Sequence, residues 1–423
     1  MLEKKILMSS SAIKTRILFL VFLLMSGSLL TSCKEESAVG SSNKDHTTAI
    51  KAVVESLLDT IKKNNPEYPG GFSIYVTYPG GKAFATAGFA NAPTELTHFR
   101  AASNTKSFTS TSIMLLYQKG KLNFNAKVTD TIPGTNKPYL PDDANYNIPF
   151  KNSITILQLM QHRAGVFDVS NEMIPDSIQA NVPYKGANYL DYIMETDPTH
   201  TFTFDELTSV NSATGLYYFP PGGGYHYSNS GYVLLGKIIE RVSGKGYSDF
   251  VKDEILIPMG LLSSSMPYLG SDRQLPAPFV PGYVQSVDGI KNTTISNISG
   301  NVAEGNLITT PADLAKFLRE SLLGRGVISS VVMNQVILNM IPMGGATANG
   351  YGCGLQYVPN LGYGHTGAHE GYLSEMIYDP VTDITMVIYS NAWDLRDGIL
   401  SISKVMNTMQ EALYKTKGIV LGR

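Results

Sequence analysis

Apolar residues recur along this chain with two periods, and the changes between them mark out its elements. Ile50, Val53, Val54, Leu57, Leu58 and Ile61 follow helical spacing, which predicts an amphipathic helix ending before Asn64-Asn65-Pro66. Two strand-like runs follow, Phe72 to Tyr78 and Lys82 to Phe89, and Pro79-Gly80-Gly81 between them signals a hairpin. Near the other end, Tyr372 to Tyr378 and Ile384 to Tyr389 form a second hairpin around Asp379-Pro380, and Ile399 to Leu413 returns to helical spacing. The middle, from about 125 to 300, is loop-rich with short helical stretches. Matching content at the two ends predicts an α/β (α+β) architecture: an antiparallel sheet from both chain ends, flanked by helices, with a mostly helical inserted subdomain. The domain is expected to run over 47–416, its sheet part over about 47–125 and 300–416 and the insertion over about 126–299. A cleft between insertion and sheet is where a site is expected.

Residues 1–32 read as an address rather than as structure. Lys4, Lys5, Lys14 and Arg16 precede an apolar run from Ile17 to Leu30, which Ser26-Gly27-Ser28 interrupts and which is too short to cross a bilayer comfortably. It is read as an export signal. The run closes on Leu30-Thr31-Ser32-Cys33, which resembles the lipobox of bacterial lipoproteins, where the signal is cut before a cysteine that is then lipidated. Cys33 is therefore expected to carry lipid and to hold the protein to a bilayer of the cell envelope. Residues 33–46 are polar, Ser-rich and aperiodic, as a flexible tether would be. With only two cysteines in the chain, Cys353 would stand alone after processing, so no intramolecular disulfide is possible and stability must come from the core.

The chain of 423 residues is 43% hydrophobic and 16% charged, a globular balance with material for a large core. Its net charge of −2 gives no reason to expect nucleic acid or an acidic polymer as partner. A small or peptidic ligand fits better.

Three segments carry candidate chemistry. Ser103-Asn104-Thr105-Lys106 opens a predicted helix that runs through Ile113, Leu115, Leu116 and Tyr117 to Gly120. A serine there lies in the positive end of the helix dipole, and Lys106 at i+3 shares its face, close enough to take or polarise the hydroxyl proton. The pattern alone is weak: Ser-x-x-Lys recurs at Ser11, Ser41 and Ser401, and a serine at a helix start is ordinarily an N-cap. Tyr227-Ser228-Asn229 leads into an apolar helix from Tyr232 to Val242. A tyrosine beside a lysine can shuttle a proton, and a carboxamide can hold both the lysine and a substrate amide. With 24 tyrosines present, a loop tyrosine packed on the core is the ordinary alternative. Gly364-His365-Thr366-Gly367 precedes the second hairpin; small residues on an exposed strand let a substrate backbone lie alongside. His365 and His369 have i,i+4 spacing, but Gly367 and Gly371 argue against the helix that a metal site would need, so no metal is expected there. His162, in His162-Arg163-Ala164-Gly165, is read as structural.

The order of the three segments resembles the penicillin-recognising serine hydrolases: class C β-lactamases, D-alanyl-D-alanine carboxypeptidases and related esterases. Tyr-x-Asn comes about 120 residues after Ser-x-x-Lys, and His-Thr-Gly stands near the end. The resemblance runs from Phe72 to Leu413 and includes Lys119-Gly120-Lys121-Leu122, Ile154 to Met160, and Thr309 to Leu314. Within the family, His162 to Gly165 and Gly364 to Gly367 look most like an actinobacterial D-alanyl-D-alanine carboxypeptidase/transpeptidase; class C lactamases usually carry lysine where His365 stands. The resemblance implies Ser103 as nucleophile, Lys106 as its base or base-orienting cation, and Tyr227 as proton shuttle. It also implies that Asn229 orients Lys106 and substrate, that the Ser103 and Ala368 N–H groups form an oxyanion hole, and that His365, Thr366 and Gly367 line the docking strand. The resemblance implies no metal or organic cofactor; acyl transfer through a covalent acyl-enzyme would follow, on a small peptide, ester or β-lactam substrate.

One departure bears on specificity. In the carboxypeptidase most resembled, an arginine follows the Gly-Leu pair upstream of His-Thr-Gly and grips the substrate's terminal carboxylate. Here Gly354-Leu355 is followed by Gln356 and Tyr357, leaving Arg163 or Arg396 as the cations that could substitute. A D-amino-acid peptidase, an esterase or weak β-lactamase on the same scaffold, and a sensor that acylates once and stops all remain open, because each needs the same acylation machinery.

Overall fold

The computed structural model describes residues 45–338, 340–342 and 350–423. The expected export signal, Cys33 and nearly all of the tether lie outside the described residues. The described residues, from 45 on, form one compact unit. From its N-terminal side come helix α1 (Thr47–Asn64), the hairpin β1 (Phe72–Tyr78) and β2 (Gly81–Ala87), the short strand β3 (Phe99–Ala102) and helix α2 (Thr105–Gln118). Helices α3 (Ile156–Met160), α4 (Tyr189–Met194), α5 (Phe204–Thr214), α6 (Asn229–Ser243) and α7 (Tyr247–Val251) follow, then strands β4 (Tyr283–Ser286), β5 (Gly289–Asn292) and β6 (Leu307–Thr309). The C-terminal part holds α8 (Pro311–Leu322), α9 (Ser330–Leu338), β7 (Ile341–Pro342), β8 (Gly350–Gly352), β9 (Leu355–Val358), β10 (Gly362–His369), β11 (Tyr372–Asp379), β12 (Ile384–Ser390), β13 (Ala392–Asp394) and α10 (Ile399–Val420).

Both predicted hairpins enter one antiparallel sheet, in the order β2-β1-β12-β11-β10-β9-β8-β7. The chain ends meet at β1 and β12, in a register that sets Phe72 opposite Ser390 and Val76 opposite Met386. Alternate residues of the central strands serve two separate cores. Phe72, Ile74, Leu373, Ile377, Met386 and Ile388 pack with α1 and α10. Tyr75, Tyr372, Met376, Val387 and Tyr389 face the other way, with α2 and α8. Burial on both faces explains why β12 carries apolar residues at consecutive positions from Met386 to Tyr389 rather than an alternation.

Local signals set the helix starts. Thr155 with Gln158, and Thr203 with Glu206, form capping boxes at α3 and α5, while Thr310 caps α8 with Pro311 in its first turn. The C-terminal helix runs past the predicted Leu413 because Thr416 and Lys417 still face the core, and Lys417 Nζ reaches Asp379 at 2.7 Å. The segment 126–299, expected to be mostly helical, also holds the β4–β5 hairpin, and β4 pairs in parallel with β13 through Ala392 and Tyr283. Its tip strand is exposed throughout and carries no apolar alternation that could have announced it.

Helix α2 positions the site. Every residue from Thr105 to Leu116 is buried, so this helix is wrapped on all sides. Its small hydroxyl side chains satisfy the surrounding backbone: Ser107 Oγ donates to Gly354 O (2.6 Å) and Thr109 Oγ1 to Ala303 O (2.5 Å).

Candidate active site

Strand β3 hands the chain to α2 through a strained step. Ala102 has φ 51°, a left-handed conformation that costs a residue with a Cβ about 1 kcal/mol or more, and the β3–β6 register slips at the same place. The segment is clamped from both sides. Asn104 Nδ2 donates to Ala101 O (2.8 Å) and Ser374 Oγ (2.9 Å), while Thr105 Oγ1 donates to Ala102 O (2.7 Å) and accepts from Leu307 N–H (2.9 Å). The N-cap position of α2 falls to Asn104, not Ser103. The capping alternative for Ser103 is therefore set aside, and its half-buried hydroxyl is left to the lysine.

Lys106 Nζ donates to Ser103 Oγ (3.2 Å), to the Glu304 carbonyl (2.8 Å) and to Glu304 Oε2 (3.2 Å). Its side chain is fully buried, and the ring faces of Tyr227 and Tyr232 lie 4.9 and 5.6 Å from Nζ. Burial lowers the lysine's pKa, and the Glu304 carboxylate opposes the fall. Burial likewise raises Glu304, restrained by Lys106 and by Asn301, whose Nδ2 donates to Glu304 Oε1 (2.6 Å).

Tyr227 reaches the same point from the loop before α6. Burial pushes its phenol well above the usual tyrosine range, and the nearby Ser103 hydroxyl is the largest opposing influence. His162 anchors this loop: its carbonyl accepts from His226 N–H (3.0 Å), its Nδ1 accepts from Ser228 N–H (3.1 Å), and its ring lies 4.2 Å from that of Tyr227. Burial and the Lys106 charge hold this imidazole neutral, so its own proton sits on Nε2. Asn229 N–H, at the start of α6, donates to Asp168 Oδ2 (3.0 Å).

Asn229 does not occupy the place the resemblance implied. The lysine's donors go to Ser103 and Glu304, and Asn229 Oδ1 is buried with no hydrogen-bond partner among the described residues. Glu304 takes over the lysine, and no spacing signal could have found it: it lies 198 residues away in a loop without a motif.

On β10, His365 turns inward rather than lining an open strand. Its Nδ1–H donates to Thr366 O (2.6 Å), which leaves Nε2 to accept from the Tyr351 hydroxyl (3.1 Å). Burial, with the Lys106 charge, lowers its pKa to about 3, so it is a neutral imidazole. Thr366 is half-buried and Ala368 exposed. A Cβ on Gly367 would collide with the Ala101 carbonyl and press on Ser374 Oγ (2.7 Å) and Asn104 Nδ2 (2.9 Å), so glycine is what lets β10 lie against the Ser103 segment. Strand β9 pairs with Gly362, Tyr363 and Gly364 alone, so in the described residues it leaves His365 to His369 unpaired on that side.

Neither candidate cation is free. Arg396 binds Asp394 in a bidentate pair (3.0 and 2.7 Å), and Arg163 Nη2 donates to Gly222 O (2.8 Å). Gln356 lies on β9 opposite Gly364. Among the described residues no group of three or more His, Cys, Asp or Glu could hold a metal ion. Cys353 is buried, and burial pushes its thiol up to about 12, so it is not a thiolate nucleophile. A cavity of about 460 Å³ lined by Phe202, Phe204, Tyr247 and Tyr268 contains none of Ser103, Lys106 or Tyr227, so the chemistry and not that apolar hollow locates the site.

A sequence model described as Beta-lactamase matches residues 63–401, well over half of the chain. The chain belongs to the β-lactamase family. Its relatives in the family include a penicillin-binding protein of Bacillus subtilis, 28% identical over 293 residues, which are 66% of this chain and 57% of that protein. The chain thus spans little more than half the length of that relative. A protein of Escherichia coli named as a candidate D-alanyl-D-alanine carboxypeptidase is 26% identical over 70% of this chain and 69% of its own. Among solved structures, the D-amino acid amidase of Ochrobactrum anthropi SV3 superposes with a TM-score of 0.66 at 25% identity, over 89% of this chain and 99% of that one. The fold is that of the family. No helix among the described residues is long and apolar enough to cross a membrane.

Proposed function

We propose that this chain is a serine hydrolase that acylates Ser103 and acts on D-amino-acid peptides or amides of the cell wall. The observation that carries the reading is the contact of Ser103 Oγ with a fully buried Lys106 Nζ at 3.2 Å, with the Tyr227 ring 4.9 Å from the same Nζ. A hydroxyl flanked by two proton-handling groups in a dry site is an activated nucleophile. Ser103 Oγ bonds to the substrate carbonyl carbon while its proton leaves by way of Lys106. The N–H groups of Ser103 and Ala368 hold the developing oxyanion. Collapse breaks the bond to the leaving group, which takes its proton through Tyr227, and water then cleaves the ester on Ser103. Asn229 Oδ1, free of protein partners among the described residues, accepts from a substrate amide N–H. The names of the Escherichia coli relative and of the Ochrobactrum amidase support a D-configured peptide or amide as substrate.

Export and lipid anchoring at Cys33 complete the proposal, supported by the leader's charge-then-apolar order and by a penicillin-binding relative. The test is turnover by the full chain of D-alanyl-D-alanine peptides, D-amino-acid amides, short acyl esters and a chromogenic cephalosporin, each beside Ser103→Ala. Steady hydrolysis of the D-peptide or amide, lost in Ser103→Ala, is expected. Turnover of esters alone would replace this reading with an esterase, and a single acylation without turnover would replace it with a sensor.

A further inference from the structure

The proton that leaves Ser103 needs somewhere to end. Lys106 Nζ is surrounded by three acceptors, and with a carboxylate at 3.2 Å and two aromatic faces nearby it rests as an ammonium ion, which cannot accept a proton. Tyr227 is a neutral phenol, because burial holds its pKa high, and so it is not a base either. Of the groups that touch Lys106, only the Glu304 carboxylate can take a proton from it.

The loop that carries Glu304 is built to hold it still. Ala303 sits at φ 70°, its carbonyl accepts from Thr109 Oγ1 (2.5 Å), and its N–H donates to Asn306 Oδ1 (3.3 Å), whose Nδ2 donates to Pro267 O (2.9 Å). Glu304 is 2% exposed, and Asn301 grips its other oxygen, Oε1. Two buried charges fixed in contact form a pair through which one proton can move without either group meeting water.

We propose that Glu304 is the positioning residue for Lys106 and the terminus of its proton relay. As Ser103 Oγ attacks, its proton passes to Lys106 Nζ while an ammonium proton passes from Nζ to Glu304 Oε2. The pair goes from ammonium and carboxylate to ammonium and carboxylic acid, and the positive charge it gains balances the negative charge of the oxyanion formed on the substrate. When the leaving group departs, the proton returns through Lys106 and Tyr227. The inference rests on Ser103 being the nucleophile.

Several other groups face this pair. Asp168 acts on both members as a second negative charge, but its carboxylate is occupied by the N–H groups of Ser170, Asn171 and Asn229. His162 and His365 face Lys106 as neutral imidazoles. Tyr247 from α7 is a neutral phenol bonded to Thr109. None of these touches Lys106 with an ionised oxygen.

The relay predicts a particular pH dependence. In the parent protein, acylation needs the Glu304 carboxylate ionised, so its acid limb belongs to a carboxylate. In Glu304→Gln the proton has no terminus, Lys106 must itself be neutral to act, and the acid limb becomes that of an amine. The test is the rate of labelling of the full chain by a fluorescent penicillin across pH, in the parent, Glu304→Gln and Glu304→Asp. The acid limb is expected to move to higher pH by about one unit or more in Glu304→Gln, because an amine, even one lowered by burial and by loss of the carboxylate, titrates above a carboxylate. In the charge-retaining Glu304→Asp it is expected to stay in place at reduced rate. An acid limb in Glu304→Gln that stays within about 0.3 units of the parent, or moves lower, overturns the relay, as does a displaced limb in Glu304→Asp. Ser103→Ala runs alongside: labelling that survives there removes the nucleophile itself, whereas labelling lost there with an unmoved limb in Glu304→Gln removes only the relay.

Discussion

Replacing Lys106 by methionine keeps the aliphatic stem and removes the charge, which strands Glu304. The carboxylate would be left with Asn301 as its one hydrogen-bonding side chain, in a site where it is 2% exposed. Removing one partner of a buried pair costs about 3–5 kcal/mol. Because the uncompensated charge is the source of that cost, the loss depends on pH. In the variant, Glu304 has a folded pKa raised above its unfolded value, so the folded state binds the extra proton. Stability is intact below about pH 4.5 and is lost as pH rises through the folded value. The loss builds up at about 1.4 kcal/mol per unit as pH rises above about 4.5, until the raised folded value is passed. For a domain of this size that is a fall in Tm of about 4–6 °C at pH 8 and little at pH 4.5. Lys106→Met/Glu304→Gln removes both charges and is expected to recover most of the loss and to flatten its pH dependence. Thermal unfolding of parent, single and double variants at the two pH values decides it. An equal loss at both, or a double variant no more stable than Lys106→Met, would refute the picture of a dry, mutually dependent pair.

Three further outcomes follow from the same geometry. Tyr227→Phe and Lys106→Ala should each lower kcat by at least about 10²-fold, and the double variant should be little worse than either; additive losses in steady-state kinetics would mean the two work independently. With Gln356 where a carboxylate-gripping arginine would stand, and Arg396 and Arg163 engaged elsewhere, kcat/KM for a D-Ala-D-Ala peptide acid should not exceed that for its C-terminal amide by tenfold; a charged hydrogen bond present only for the acid would give about 10- to 150-fold. Glu375, buried on β11 with Gln410 as partner, has its pKa raised to about 7, so the parent loses up to about 3 kcal/mol of stability between pH 4.5 and 7; Glu375→Gln should be the more stable protein by about that much at pH 8.5 and no more stable at pH 4.5, as read by denaturant unfolding.

What could be read from the sequence was what is local. Ser103 and Lys106 share a helical turn and Tyr227 leads into an apolar helix, so spacing and order were enough to single out residues that the fold does bring together. The two hairpins and the first and last helices carry their own periodicity, and the sheet that joins the chain ends followed from matching them. The clamp that Asn104 puts on the Ser103 segment was not legible, because its partners, Ala101 O and Ser374 Oγ, are brought to it by the Ala102 kink and by β11. The partner of Lys106 was assigned to Asn229, the polar residue that the motif supplies. The structure gives that place to Glu304, whose proximity depends on the packing of β6 and its preceding loop against α2. His365 illustrates the same limit: a histidine between glycines on a strand gives no sign of which face will be buried, and a tyrosine 14 residues earlier draws it inward.

The central claim is that Ser103 is the atom acylated. Intact-mass analysis of the full chain after exposure to a fluorescent penicillin should show a single adduct, located to Ser103 by peptide mapping and absent in Ser103→Ala. An adduct of the same mass in Ser103→Ala, or one mapped to any other residue of the parent, would contradict the account.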